Sequence, residues 1–292
     1  MTSTLTILEP CPGVYAYYDG RVAGARLHSP APNWLDDGAY ELGVASYAIV
    51  DGGEALVYDT HISLDHARAI RRHLEDLGVT AIRVVLSHWH KDHIAGNAVF
   101  ADCEIVALQL TAEKLDENRE KIETATPPIH PLVIPNRLFA KSLTLSVGKR
   151  LVELHHFAIH SADGNVIWLP EERLLLAGDT LEDTTTYISE ADQTATHIAE
   201  LTRLRQWPIA KILPAHGDRE RIAAGGYGPD LIDANRRYIE RLIEAIAAGA
   251  EIGTLKDFVA DEIAAGAILY FAPYEAVHQS NVERVRAALG AR

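Results

Sequence analysis

A short stretch of the chain, "LSHWHKDHIAGN" at residues 86–97, concentrates side chains that can bind metal ions. It contains three imidazoles and one carboxylate close together: His88, His90, Asp92 and His93. Imidazole and carboxylate ligands suit zinc, iron and manganese, and the lack of nearby thiolates disfavours a structural zinc site. A catalytic zinc commonly has three protein ligands and one open position. Four residues are too many for one such site and too few for two, so we expect further ligands elsewhere.

The spacing of these four residues indicates what kind of element carries them. On a helix, His90 would point away from the face that His88 and Asp92 share. On a strand, His93 would point away from the face that carries the other three. No single regular element therefore brings the four side chains together. The apolar run at 81–86 predicts a buried strand, and we expect this strand to end and turn into a helix within the stretch.

The surrounding sequence predicts the elements that must position these residues. Runs at 45–50 and 54–59 flank Asp51-Gly52-Gly53, a pattern typical of a β-hairpin. Ser63 predicts the start of a helix that runs to Leu77. We predict further strands at 104–108, 142–147, 150–157, 165–169 and 173–177, mostly antiparallel after 142, and a strand-to-loop transition at 210–217. We predict helices at 109–123, 192–206, 230–249, 254–264 and 274–289. This mixture indicates sheets covered by helices.

The stretch "HWHKDH" is similar to the HxHxDH motif of the metallo-β-lactamase-fold hydrolase superfamily. The segments "LVYDTH", "FAIHSADGNVIWLP", "LLLAGDTLED" and "ILPAHG" resemble the remaining motifs of that superfamily, in the same order. They contribute Asp59, His160, Asp179 and His216. The resemblance covers roughly residues 40–217 and implies an α/β fold, a four-layer αββα sandwich. We expect this domain to span residues 1–222, with a C-terminal helical extension, residues 223–292, packed on the same domain.

The resemblance also implies the roles of the ligand residues. The first metal would be held by His88, His90 and His160, and the second by Asp92, His93 and His216. Asp179 would bridge both metals, as in the glyoxalase II and lactonase type, and Asp59 would hold the ligand loop by hydrogen bonds. The implied cofactors are two Zn²⁺ ions, with iron or manganese as alternatives. The implied enzyme is a dinuclear hydrolase in which a metal-bridging hydroxide opens a lactone, ester, thioester or β-lactam, with Asp92 and Asp179 as catalytic residues.

The substrate is less evident from the sequence. Glu182 stands three residues after the bridging aspartate, where acyl-homoserine lactonases often carry tyrosine, and this departure weakens a lactonase assignment. Loops commonly determine specificity, and we name five candidate pocket residues in or beside loops: Trp34, Tyr40, His61, Tyr187 and Tyr227. An alternative reading is a mononuclear iron oxidoreductase of the same fold, similar to persulfide dioxygenases.

Composition narrows the classes of partner. The chain of 292 residues has a formal net charge of −14 and a pI near 5.4, which disfavours binding to a phosphate backbone. No apolar run reaches the roughly 20 residues of a membrane span, and the N-terminus does not read as a secretory signal. Cys11 and Cys103 are isolated, so we expect no disulfide framework. We therefore expect a cytoplasmic protein with a small-molecule substrate and neither nucleic acid nor membrane as partner. A homodimer, and a lid or interface role for the C-terminal helices, stay open.

Overall fold

The computed structural model describes residues 4–290, apart from the side chains of residues 37 and 38. Within residues 4–290, the first sheet has seven strands, whose order in the sheet is their order in the chain. They are β1 (Thr6–Cys11), β2 (Val14–Asp19), β3 (Val44–Asp51), β4 (Glu54–Tyr58), β5 (Ala81–Val85), β6 (Glu104–Leu108) and β7 (Arg137–Phe139). Strands β1 to β4 pair antiparallel, whereas β4 to β7 pair parallel. Strands β1, β2 and the short strand β7 were not among the predicted strands.

The predicted hairpin is confirmed in β3 and β4. Asp51 pairs with Glu54 across a two-residue turn formed by Gly52 and Gly53. Gly52 has a φ of 60°, in the left-handed region that glycine adopts without steric cost. The hairpin brings the end of β4 beside β5, and Asp59 follows directly after β4.

The second sheet has five strands within the described chain. They are β8 (Ser142–Val147), β9 (Arg150–His156), β10 (Asn165–Leu169), β11 (Leu174–Gly178) and β12 (Lys211–Pro214). Their order is β12-β11-β10-β9-β8. All neighbours are antiparallel except β11 and β12, which run parallel. The expectation of mostly antiparallel strands after residue 142 is therefore confirmed.

The two sheets pack against each other through a shared apolar core and two buried tyrosines of the first sheet. The Tyr58 hydroxyl donates to the backbone oxygen of Asn165 at 2.6 Å. The Tyr47 hydroxyl donates to the backbone oxygen of Pro214, also at 2.6 Å. A buried hydroxyl without a partner would cost free energy, so these bonds favour one arrangement of the sheets. That arrangement places the end of β12 close to the end of β4.

Helices cover the sheets. The helix α1 (Leu64–Asp76) begins at Ser63, whose side chain accepts a hydrogen bond from the His66 backbone, and its apolar face packs on the first sheet. The other α-helices of the described chain up to residue 223 are α2 (Lys91–Ile94), α3 (Gln109–Glu117), α4 (Arg119–Glu123), α5 (Thr194–Leu204) and α6 (Arg219–Ala223). A π-helical segment at Leu35–Tyr40 and short 3-10 helices at Asn97–Phe100 and Ala191–Gln193 accompany them. The single helix predicted at 109–123 was wrong, because the backbone leaves helical geometry at Asn118. The two sheets with their helices form the expected αββα sandwich.

The C-terminal part of the described chain is helical. It contains α7 (Asp230–Ala247), α8 (Leu255–Phe258), α9 (Ala260–Ala264) and α10 (Tyr274–Gly290). The single helix predicted at 254–264 is two short helices that meet at Val259. Buried side chains such as Leu231, Ile239 and Val282 belong to the same apolar cluster as the second sheet. That cluster continues across residue 222, and a domain boundary there stays a prediction. Within residues 4–290, no helix combines the length and apolar character needed to cross a membrane.

Candidate metal centre

The potential metal ligands lie where strands end. Strand β5 ends at Val85, the chain turns, and α2 begins at Lys91, so the predicted strand-to-helix transition is confirmed. Asp179 follows directly after β11, and His216 lies just beyond β12. Gly178, the residue before Asp179, has a φ of 53°, and a Cβ there would lie 2.9 Å from the Ser87 Cβ. Only glycine therefore lets the β11 end approach the ligand loop this closely.

Two groups of histidine and aspartate side chains converge at these strand ends. In each group the potential ligand atoms all lie within 4.8 Å of one another. The first group contains His88, His90, His160 and Asp179, and the second contains Asp92, His93, Asp179 and His216. Asp179 belongs to both groups. The structure thus brings together all seven residues named as ligands from the sequence.

In the first group, ring nitrogens face one another at short range. His90 Nδ1 lies 2.8 Å from His88 Nε2 and 3.0 Å from His160 Nε2. Asp179 Oδ2 lies 3.5 Å from His160 Nε2 and 3.6 Å from His88 Nε2. Three converging imidazoles beside one carboxylate are a donor set for a divalent transition metal.

In the second group, two imidazoles meet two carboxylates. His93 Nε2 lies 3.2 Å from Asp179 Oδ2 and 3.3 Å from Asp92 Oδ2. His216 Nε2 lies 3.3 Å from Asp92 Oδ2 and 3.5 Å from Asp179 Oδ1. The Asp179 Oδ1 atom is buried and has no hydrogen-bond partner among residues 4–290. A buried carboxylate oxygen without a partner is costly, and a metal ion would satisfy it. The donor sets of both groups therefore fit metal ions, and Asp179 belongs to both sets.

The far side of three of these histidines is held by hydrogen bonds. His93 Nδ1 lies 2.8 Å from Asp59 Oδ2, His88 Nδ1 lies 2.9 Å from Ser87 Oγ, and His216 Nδ1 lies 2.6 Å from the Gly43 backbone oxygen. Such contacts set the orientation and tautomer of metal-binding imidazoles. Asp59 also accepts a hydrogen bond of 2.7 Å from the Ser87 backbone. It thus occupies the supporting place that the resemblance implies.

The pKa values of the imidazoles in the metal-free centre shift in opposite directions. Burial, followed by neighbouring imidazoles, lowers the pKa of His88 well below its usual value and that of His90 to about 3. Burial would also lower the pKa of His93 and His216, but the Asp179 carboxylate, with other acids, raises both well above the usual value. Protons and metal ions therefore compete for the second group, since a metal-bound imidazole nitrogen must be deprotonated.

A cavity of about 620 Å³ opens over the two groups. The predicted pocket residues Trp34 and Tyr187 line it. Further apolar lining comes from Leu42, Trp89, Pro273, Ala276 and Val277. Ala276 and Val277 belong to α10, so the C-terminal helical extension forms part of the cavity wall. Ligand pockets are commonly apolar with a few polar groups that fix orientation, and this cavity has that character.

The other three predicted pocket residues lie away from the cavity wall. Tyr40 is buried and its hydroxyl lies 3.0 Å from Thr4 Oγ1. His61 is buried rather than at the rim, with Nε2 3.1 Å from the Tyr17 backbone oxygen. The Tyr227 hydroxyl donates to Asp183 at 2.6 Å. Each of the three side chains has its hydrogen-bond partner in the interior, and none of the three lines this cavity. The local sequence does not reveal these interior partners.

Several lining residues were not among the predicted site residues, including Trp89, Lys91 and Glu182. Trp89 and Lys91 occupy the variable positions of the "HWHKDH" motif, and the Lys91 ammonium lies 5.8 Å from the Trp34 ring centre. Glu182 also lines the cavity and is 1% exposed. The sequence contained one indication of Glu182. It stands three residues after Asp179, where acyl-homoserine lactonases often carry tyrosine.

Comparison with known proteins agrees with this geometry. A family model described as the metallo-beta-lactamase superfamily matches residues 39–216. The chain is also similar to the beta-lactamase-like protein 2 homolog of Caenorhabditis elegans, with 26% identity over 194 residues. That match covers 65% of this chain and 59% of the relative, so the chain spans less than two thirds of that protein.

Several solved structures share the fold. VMB-1 has a TM-score of 0.63 at 18% identity, with 82% of this chain and 99% of that chain covered. A metallo-beta-lactamase from Pontibacter korlensis has a TM-score of 0.58 at 18% identity, with 79% and 99% covered. At this identity the likeness shows the fold alone. The fold and the histidine and aspartate groups together support a metal-dependent hydrolase. Because the family model covers more than half of the sequence and the ligand motifs converge in space, the chain belongs to the metallo-beta-lactamase superfamily.

Proposed function

We propose that the protein is a dinuclear metal-dependent hydrolase that opens a carbonyl substrate. The observation that carries the proposal is the position of Asp179, whose carboxylate belongs to both ligand groups. A single metal in the first group would leave the other three members of the second group, Asp92, His93 and His216, without a ligand role. Zinc is the metal we expect, because nitrogen and oxygen donors with no thiolate suit catalytic zinc.

Bound metals in such a pair lower the pKa of water and polarise a carbonyl oxygen. The chain's own residues supply orientation and proton transfer. Asp92 is the more accessible of the two carboxylates, with 17% of its side chain exposed against 4% for Asp179. Nearby His93 and His216 hold the pKa of Asp92 well below its usual value despite burial. Asp92 is therefore ionised and faces the cavity, where it would accept a proton from the attacking water and pass that proton to the leaving atom.

The cavity supports a substrate with an apolar part. Two indole rings, Trp34 and Trp89, face it together with the Ala276 and Val277 side chains of α10. The half-buried ammonium of Lys91 lies over Trp34, and no carboxylate forms an ion pair with it within residues 4–290. This arrangement favours an ester, lactone, thioester or β-lactam that carries both an apolar group and a negative charge.

Metal analysis combined with a hydrolysis panel tests the proposal. The purified protein is loaded with zinc and assayed on a chromogenic β-lactam, acyl-homoserine lactones, aryl esters and glutathione thioesters. We expect about two equivalents of zinc and hydrolysis of at least one class. One equivalent of iron with oxygen consumption would instead support the oxidoreductase alternative. Failure to bind metal at all would contradict both readings.

A further inference from the structure

Glu182 is a buried acid that neither metal group contains. Its side chain is 1% exposed, and burying a carboxylate is costly unless it is paired. Among residues 4–290 its charged partner is a histidine rather than a lysine or arginine: Oε1 lies 3.5 Å from His160 Nδ1. This distance is at the long limit for a hydrogen bond, but it joins two groups that are both removed from water.

The two nitrogens of His160 face opposite ways. Nε2 faces the first metal group, 3.0 Å from His90 Nδ1. Nδ1 is buried and makes no hydrogen bond within the described chain, and the Glu182 carboxylate lies 3.5 Å from it. If a metal takes Nε2, the proton of the neutral ring must lie on Nδ1, where Glu182 is the acceptor that can receive it.

The arrangement repeats one already seen in the second metal group. There, Asp59 Oδ2 lies 2.8 Å from Nδ1 of His93. Each ligand group therefore has one histidine with a carboxylate behind it. We propose that Glu182 is a positioning residue that fixes the ring orientation and tautomer of His160 and so strengthens metal binding in the first group. The inference rests on the proposed dinuclear centre.

Glu182 is itself held by the C-terminal helices. Tyr274, at the start of α10, donates its hydroxyl to Oε2 at 3.3 Å. Asn235 of α7 accepts from the Glu182 backbone nitrogen at 3.3 Å and donates to its backbone oxygen at 3.0 Å. The Tyr187 backbone nitrogen donates to Oε1 at 2.9 Å. The Glu182 side chain thus connects the C-terminal helices to His160.

The first test compares the metal affinity of Glu182→Gln with that of Glu153→Gln. Glutamine keeps the size of Glu182 and an acceptor oxygen but removes the charge that faces His160. Glu153 is a matched control because it also contacts a histidine, His155, at 2.9 Å, at a half-buried place away from the cavity. We expect one of two zinc ions to bind about 10- to 100-fold more weakly in Glu182→Gln alone, measured by competition with a chromophoric chelator.

The second test needs no substitution. In the zinc-loaded wild-type protein with ¹⁵N-labelled histidine, we expect His160 to carry its proton on Nδ1 and to bind metal through Nε2. A His160 ring with metal on Nδ1 would overturn the inference, even if Glu182→Gln fails to fold. Unchanged affinity for both zinc ions in a folded Glu182→Gln would also overturn it. Either result would leave the proposed function intact, whereas wild-type protein that binds no metal would contradict the proposed function itself.

Discussion

Asp59 Oδ2 lies 2.8 Å from His93 Nδ1, and both side chains are buried. The Asp59 backbone adopts a φ of 67°, a left-handed conformation that costs a non-glycine residue roughly 1–3 kcal/mol. The hydrogen bonds to His93 and to the Ser87 backbone offset this cost. Strain is thus retained at the point where the first sheet supports the metal ligands.

Replacing Asp59 by asparagine should weaken the second metal group. Asparagine presents an amide N–H₂ where one of the two acceptor oxygens was, so either the Ser87 backbone or the His93 ring loses its acceptor. We expect one zinc ion to bind about 10- to 100-fold more weakly, measured by chelator competition. Asp102→Asn, which changes an exposed carboxylate on the surface, serves as control. Equal affinities for the two variants would contradict the supporting role of Asp59.

Asp179→Ala and His160→Ala should each lose activity while the protein stays folded. Asp179→Ala removes a donor from both groups, whereas His160→Ala removes one from the first group only. We expect Asp179→Ala to lose both zinc ions and His160→Ala to lose one. Both should lose about 10²- to 10³-fold in kcat/KM, the loss typical when a stabilising group is removed. Circular dichroism and metal content are measured alongside activity. Turnover like that of the wild type in either folded variant would refute the ligand assignment.

Asp183 should make the metal-free protein less stable as the pH rises. Burial raises the pKa of Asp183 from 3.8 to about 6, so between about pH 4 and 6 the folded chain binds more protons than the unfolded chain. Stability therefore falls as the pH rises through this window, by up to about 3 kcal/mol. We expect Asp183→Asn to remove this contribution and to gain stability relative to the wild type at pH 8 but not at pH 4.

Urea unfolding of the metal-free proteins at both pH values measures this difference. Asp65→Asn is the control, because its side chain is 83% exposed. The free energies of unfolding of the wild type and Asp183→Asn are compared at both pH values. If their difference were the same at both, the Asp183 carboxyl would not titrate in this window.

Lys91→Met should discriminate between charged and neutral substrates. Methionine keeps an apolar side chain of similar length but removes the ammonium, which lies over Trp34 in the cavity wall. For a hydrolysed substrate with a carboxylate we expect KM to rise about tenfold, equivalent to about 1.4 kcal/mol, with little change for its neutral ester. Lys141→Met, at an exposed position, is the control. An equal change for both substrates would contradict recognition of the negative charge by Lys91.

Tyr274→Phe should weaken zinc binding, because Tyr274 connects the C-terminal helices to Glu182. The substitution removes the hydroxyl that donates to Glu182 Oε2 and leaves the buried ring in place. We expect zinc affinity to fall by less than in Glu182→Gln, because the carboxylate itself remains. Tyr270→Phe is a matched control that removes a hydroxyl contact to Glu275 outside the cavity. Chelator competition measures the zinc affinity of both variants. Equal zinc affinities would contradict a connection between Tyr274 and the metal centre.

The local sequence determined much of this protein. Spacing within "HWHKDH" required a strand that turns into a helix, because no regular element aligns His88, His90, Asp92 and His93. Apolar periodicity located α1, and the two glycines after Asp51 located the hairpin. The superfamily motifs named the remaining ligands His160, Asp179 and His216. These features are readable because each depends on the few residues around it or on a motif of fixed pattern.

Tertiary structure decided which of the other side chains meet the metal centre. Tyr40, His61 and Tyr227 are buried against backbone or polar partners, whereas α10 supplies cavity wall almost a hundred residues beyond the bridging aspartate. Glu182 meets His160, Tyr274 and Asn235 only in the folded chain, and the last two come from distant helices. Such contacts depend on how whole layers pack, since burial and hydrogen bonding are properties of the assembled fold rather than of local spacing.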